Sequence, residues 1–306
     1  MNFKAISHKA ETKNCRRFLA FVVSLVLLNA NAFAEVPARY ERIVSIGGSL
    51  TEIVYHLGAE DLLVAVDTTS TYPKSALTMN PNVGYMRALS AEPILSLNPD
   101  LVMVASGAGP ASVFEQLRAA GAKVVIIEDE PSIDGVYSKV REVSRLVRKE
   151  QQGLALVESL REEFSAANAL LSTIDGKPRV LFLLSAGIGA PMAAGSDTSA
   201  NAMITMAGGT NIMSEINGYK SISPESIVVG APEFVLIPQH VFDRYGSRQA
   251  VFALPELIAT PAAHAQQLLV FDGLYLLGFG PRSIRAVLDL ATALHPHFNF
   301  DDSLSE

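Results

Sequence analysis

Cysteine is almost absent: the 306 residues contain one, Cys15. That excludes a disulfide framework and a thiolate metal site. Histidine is scarce, with six in all. His8 lies in the leading segment, His295 and His297 near the end, and His56 in the last turn of an expected helix. Only His240 and His264 are left, too few for the two or three imidazoles that a bare transition-metal site needs alongside carboxylates. No Lys/Arg cluster occurs outside the first 17 residues, and the formal charge is −7. A nucleic-acid groove is therefore not expected. The G-x-S-x-G elbow, the Walker loop and G-x-G-x-x-G are all missing, so nothing points to an enzyme. Hydrophobic residues make up 49% and charged residues 18%, the balance of a chain with an ample core.

One stretch is apolar enough to interest a membrane. Lys4, Lys9, Lys13, Arg16 and Arg17 lead into the run Phe18 to Leu28. As a helix that run is about 16 Å long, too short to span a bilayer. Ala32-Phe33-Ala34 then supplies an A-x-A cleavage pattern before Glu35. Residues 1–34 read as an export signal cut after Ala34. Five basic residues, Glu11 and Cys15 leave with it. Lys+Arg falls from 24 to 19 and Asp+Glu from 31 to 30, a formal charge of −11. No cysteine follows the apolar run, so no lipid anchor is expected there.

After the signal the chain alternates. Arg42 to Ile46 is a strand, and Gly47-Gly48 turns the chain. Ser49 and Glu52 have capping-box spacing for a helix ending at Gly58. Strands at 62–66, 101–105 and 123–127 and a helix at 111–120 follow. Strand and helix recurring at this spacing mean a parallel sheet with helices on its faces. Two helices are expected at 134–148 and 150–173, the second about 36 Å long and able to bridge two lobes. A second alternating series then runs through strands at 179–184, 234–238 and 268–271 and helices at 199–207 and 282–294. The organisation is an N-terminal α/β lobe (35–149), a connecting helix (150–175) and a C-terminal α/β lobe (176–306).

An internal echo relates the lobes. Glu92 to Val102 matches Glu225 to Val235 at a constant offset: an acidic residue opens a short helix, a Pro-acidic pair (Pro99-Asp100, Pro232-Glu233) closes it, and a strand begins. The opening glutamates are hard to explain by packing, because a helix start is normally surface.

The segment Val83-Gly84-Tyr85-Met86-Arg87-Ala88-Leu89-Ser90-Ala91-Glu92 stands out. Gly84 lets the backbone approach a ligand. Arg87 is placed to stabilise a phenolate at Tyr85, and tyrosinate is a known axial ligand of haem iron. Met192, Ala193, Ala194, Met203 and Met206 offer an apolar wall, though methionines equally fill cores. Residues 196–201 open a helix whose amides favour an anion such as a propionate.

These segments carry a resemblance. R-I-V-S-I-G-G-S-L-T-E-I-V-Y from Arg42 is shared with binding proteins for siderophores and vitamin B12. V-G-Y-M-R-A-L-S-A-E-P from Val83, P-M-A-A-G-S-D-T-S-A-N-A-M-I (191–204), A-G-G-T-N (207–211), G-Y-K-S-I-S-P-E (218–225) and L-L-G-F-G-P-R (276–282) are more specific. The chain resembles the periplasmic haem-binding proteins of bacterial haem ABC importers over about residues 42–290. The resemblance implies two Rossmann-like lobes on a long backbone helix, with the ligand cleft between them and little lobe movement on loading. It implies haem as transported ligand, Tyr85 as its axial ligand, and Arg87, Tyr275, Met192 and Met203 in the pocket. It implies that Glu92 and Glu225 dock the lobes on an inner-membrane permease dimer with its ATPase. The protein would act as a monomer in the periplasm. A ferric siderophore or cobalamin carrier of the same fold is the alternative. Some members add a histidine near 185–190; Ser185-Ala186-Gly187-Ile188-Gly189-Ala190 has none.

Overall fold

The computed structural model describes residues 39–186 and 190–297; the expected export signal lies outside them. The described structure is the compact unit that begins at Tyr40. Its first half is built from β1 (Ile43–Ile46), α1 (Gly48–His56), β2 (Leu63–Val66), α2 (Ser75–Met79), α3 (Ala91–Leu95), β3 (Leu101–Ala105), α4 (Ala111–Ala119), β4 (Lys123–Ile127) and α5 (Ile133–Leu146). The strands form a four-stranded parallel sheet in the order β2-β1-β3-β4. Strands β1 and β3 are buried throughout, which is why they read as unbroken apolar runs.

Helix α6 (Glu150–Leu171) follows, about 33 Å long by its rise per residue. It packs on α5, where Gly153 is needed because an added Cβ would lie 2.3 Å from Ser144 Oγ. The second half comprises β5 (Arg179–Ser185), β6 (Met192–Ala194), α7 (Ser199–Met206), β7 (Thr210–Asn211), β8 (Tyr219–Ser221) and α8 (Pro224–Gly230). It continues with β9 (Phe234–Pro238), α9 (Gln239–Phe242), α10 (Arg248–Phe252), α11 (Pro261–His264), β10 (Leu268–Phe271), α12 (Gly273–Leu277) and α13 (Ser283–Leu294). Its sheet runs β10-β9-β5-β6-β8, with β7 also on β5. Strands β10, β9 and β5 are parallel, whereas β6 and β8 add an antiparallel ribbon. Helix α13 returns to pack on α6. One helix thus touches elements of both lobes. No helix among the described residues is long and apolar enough to cross a membrane.

The echo is physical. Asp100 accepts from the backbone N–H of Glu41 (2.8 Å) and Arg42 (3.1 Å), and Glu233 accepts from that of Arg179 (2.9 Å). Arg42 and Arg179 in turn donate to the carbonyls of Asn98 and Ala231, two equivalent residues with left-handed backbone (φ 46° and 42°). In each lobe the acidic residue before one strand therefore fixes the start of its neighbour.

The capping box is a correction. Helix α1 has no side-chain cap. Its free amides go to the loop after β2: Gly47 N–H to Asp67 and Gly48 N–H to the Thr69 hydroxyl, both at 2.9 Å. Glu52 turns away from the helix start and is buried against the other lobe.

His295, just past α13, is 8% exposed, and among the described residues its Nε2 has no hydrogen-bond partner. Burial pushes its imidazole below the ordinary 6.5, with a backbone bond to Ala207 opposing. As pH falls, the unfolded chain therefore takes up the proton first. Stability is full above pH 6.5 and declines below it until the folded imidazole also titrates. His295→Gln is expected to flatten the dependence of Tm on pH between roughly pH 7 and 5. An equally steep slope in the variant would contradict this.

Candidate ligand site at the strand ends

In open parallel sheets, ligands bind beyond the carboxyl ends of the strands. The Tyr85 turn is built at that edge. Val66 and Val83 exchange backbone hydrogen bonds with the 81–83 stretch and β2, extending the sheet by a short bridge at Asn82. Thr68 N–H then donates to the Gly84 carbonyl at 2.9 Å. Gly84 has φ +103°, a conformation that side chains resist, and this swings Tyr85 out past the strand end. Met86 and Leu89 pair with Gly109, so the turn is also tied to the loop after β3.

On this braced turn Tyr85 is 43% exposed, unusual for a large aromatic. Arg87 Nη1 donates to the Tyr85 phenolic oxygen at 3.0 Å. A cationic donor there stabilises negative charge on the oxygen. Tyr85 is thus an anionic-ligand candidate with its face open.

The other lobe contributes a residue that sequence reasoning gave no role. Tyr219 stands on β8, its ring edge-on to buried Phe182 at 6.4 Å. Burial raises its phenol pKa; the Arg87 charge and the Ala200 backbone pull the other way. Arg87 is therefore close enough to act across the lobes on Tyr219. The available signal was the repeated Gly-Tyr pair, Gly84-Tyr85 and Gly218-Tyr219. Met192 is half-buried on β6, where Met192 pairs with Ser221 and Ala194 with Tyr219. Side chains alternate along a strand, so Met192 shares the ribbon face of Tyr219. Met203 is fully buried in the main core and presents no surface to a ligand.

Tyr275, in the first turns of α12, differs from Tyr85. Its hydroxyl donates to Asp289 at 2.7 Å, and burial together with that carboxylate pushes its phenol well above the ordinary range. It is held as a neutral donor. Helix α7 opens at Thr198, whose hydroxyl accepts from Asn201 N–H at 3.1 Å and so takes one of its free amides.

Glu92 and Glu225 are exposed in the first turns of α3 and α8. Backbone and Ser223 hydrogen bonds hold the Glu225 carboxyl below the usual range. A separate open cavity of about 610 Å³ lies among α5, α6 and α7, lined by Ser132, Tyr137, Arg161, Phe164, Asn201 and Met206. Neither Tyr85 nor Arg87 lines it.

A family model described as periplasmic binding protein matches residues 43–273. The chain belongs to that family. Binding proteins of this family share the two-lobe architecture seen here. The periplasmic heme-binding protein RhuT from Roseiflexus sp. RS-1 superposes with a TM-score of 0.81 at 38% identity, over 85% of this chain and 99% of that one. The periplasmic heme-binding protein BhuT, in complex with two hemes, gives 0.80 at 35%, over 86% and 100%. A cobalamin-binding protein of Halobacterium salinarum is 26% identical over 272 residues, 87% of this chain and 72% of that protein.

Proposed function

We propose that this periplasmic binding protein captures ferric haem between its lobes and hands it to an inner-membrane ABC permease. The observation that carries the reading is Tyr85: an exposed phenol on a braced turn, with Arg87 donating to its oxygen at 3.0 Å. Ferric iron is a hard Lewis acid that accepts a phenolate as axial ligand. A flat, mostly apolar porphyrin suits a crevice with Met192 and Tyr219 on its far wall. The two haem-binding proteins similar to this chain support the same ligand. Glu92 and Glu225, one exposed carboxylate per lobe, fit two contacts with a dimeric permease driven by its ATPase. Residues 1–34 act as the export signal, and the mature chain works as a periplasmic monomer without catalytic activity.

A second reading is favoured by the curated relatives, which include cobalamin-binding proteins. A titration of the mature protein separates the two. Hemin is expected to give a stoichiometric complex with a phenolate-to-iron charge-transfer band. Cyanocobalamin and a ferric siderophore are expected to leave the protein unloaded at the same concentrations. Retention of either, with hemin washed away, would reject the haem reading.

A further inference from the structure

The run Gly278-Phe279-Gly280-Pro281-Arg282 links α12 to α13, and two charged groups of the N-terminal lobe are buried against it. Glu52 of α1 is 2% exposed. It receives two side-chain hydrogen bonds from Arg282, both at 2.9 Å, and one from the Arg282 backbone N–H at 3.2 Å. Lys139 of α5 is fully buried; it donates to Asp129 and, at 3.2 Å, to the carbonyl of Gly278. Between these two anchors Phe279 is 1% exposed in the main core and adopts left-handed backbone, φ 48°. A bulky residue holds that conformation only where its surroundings fix it. Gly280 eases the close approach: an added Cβ would lie a tight 3.2 Å from the Glu52 carboxylate.

Arg282 also packs against aromatic rings. Its guanidinium lies 3.4 Å over the ring of Tyr72, in the loop after β2, and 5.1 Å from the ring of Tyr275. It therefore stands between one aromatic ring of each lobe.

We propose that the 278–282 segment is an interlobe clamp, and that Arg282 is a positioning residue which sets the angle between the lobes through Glu52. Helix α6 joins the lobes once; the clamp ties them a second time, from α1 and α5 to the α12–α13 link. Burying two ion pairs is costly and contributes little net stability over apolar packing. What they supply is a fixed geometry: bidentate Arg–carboxylate pairing tolerates little misalignment. The effect on haem release rests on the carrier reading above; the effect on lobe angle does not.

The test uses the double variant E52Q/R282Q, which leaves neither charge buried alone, beside the milder R282K, which keeps the charge but not the paired hydrogen bonds. Small-angle X-ray scattering is recorded on the ligand-free mature proteins. Wild-type curves are expected to be the same with and without hemin. E52Q/R282Q is expected to show a larger radius of gyration without ligand, with R282K in between. Hemin transfer to excess apomyoglobin is expected to accelerate about tenfold in the double variant, with the ferric absorbance spectrum unchanged because Tyr85 and Arg87 are untouched. If the double variant has not folded, R282K carries the comparison. Ligand-free scattering that superposes on wild type in both variants overturns the clamp, because the connecting helix then holds the lobes unaided. If wild type fails to bind hemin, the carrier reading falls while the scattering comparison still decides the clamp.

Discussion

Replacing Tyr85 with Phe is expected to remove the phenolate-to-iron band and to weaken hemin binding about a hundredfold or more, ~2.7 kcal/mol. The substitution deletes one oxygen and leaves the ring, so packing and the braced turn are preserved. Tyr85 is 43% exposed, so no buried group is orphaned except the Arg87 donor, which is itself exposed to water. The loss therefore reports the iron–oxygen bond and not unfolding. Arg87→Leu removes the cationic donor while sparing the oxygen. It is expected to keep the band, shifted, and to weaken binding about tenfold, the scale of a hydrogen bond to a charged group. Tyr275→Phe acts on a different bond, since that hydroxyl is committed to Asp289. It is expected to leave the band in place. An absorbance titration of the three variants checks the order. Tyr275→Phe abolishing the band while Tyr85→Phe keeps it would reverse the assignment of the axial ligand.

Charge reversal at both Glu92 and Glu225 is expected to abolish uptake while leaving hemin affinity within about twofold. Each side chain is exposed in the first turn of a short helix; Glu92 follows the Tyr85 turn by seven residues, and Glu225 belongs to the other lobe. The Glu225 carboxyl is held ionised by its own helix start and by Ser223. A reversed charge facing a cationic partner replaces attraction with repulsion at each contact. One reversal is therefore expected to reduce uptake and both to eliminate it, about tenfold or more below wild type. The measurement is haem-dependent growth of cells carrying the cognate permease, with periplasmic loading read in parallel. Growth at the wild-type rate with both residues reversed would remove the docking role. Loss of loading would show that the residues serve folding or binding instead.

Much of the fold was legible because parallel strands buried on both faces leave plain apolar runs. The strands at 101–105 and 234–238 fall where the pattern puts them. The β6–β8 ribbon was not legible: three-residue strands, Met-Ala-Ala and Tyr-Lys-Ser, are too short to show a period, and their pairing is set by the tertiary surroundings. The same physics hid Tyr219, whose position depends on that ribbon. Glu52 misled in an instructive way. Its spacing from Ser49 is that of a capping box, yet a capping glutamate is a surface residue and this one is buried. Only Arg282, far away in sequence, explains where its charge goes, and no local pattern announces such a pair. Met203 shows the limit of reading methionines: the sequence allowed wall or core, and helix α7 turns it to the core. Tyr85 and Arg87 were legible because both sit on one turn, two residues apart, so their contact is local.

The most direct measurement is a crystal structure of the mature protein loaded with ferric haem. Iron is expected at coordinate-bond distance from the Tyr85 phenolic oxygen, with Arg87 still donating to it and the porphyrin lying against the Met192–Tyr219 face. Iron bound through any other side chain, or haem seated away from the strand ends with Tyr85 unliganded, would contradict the account.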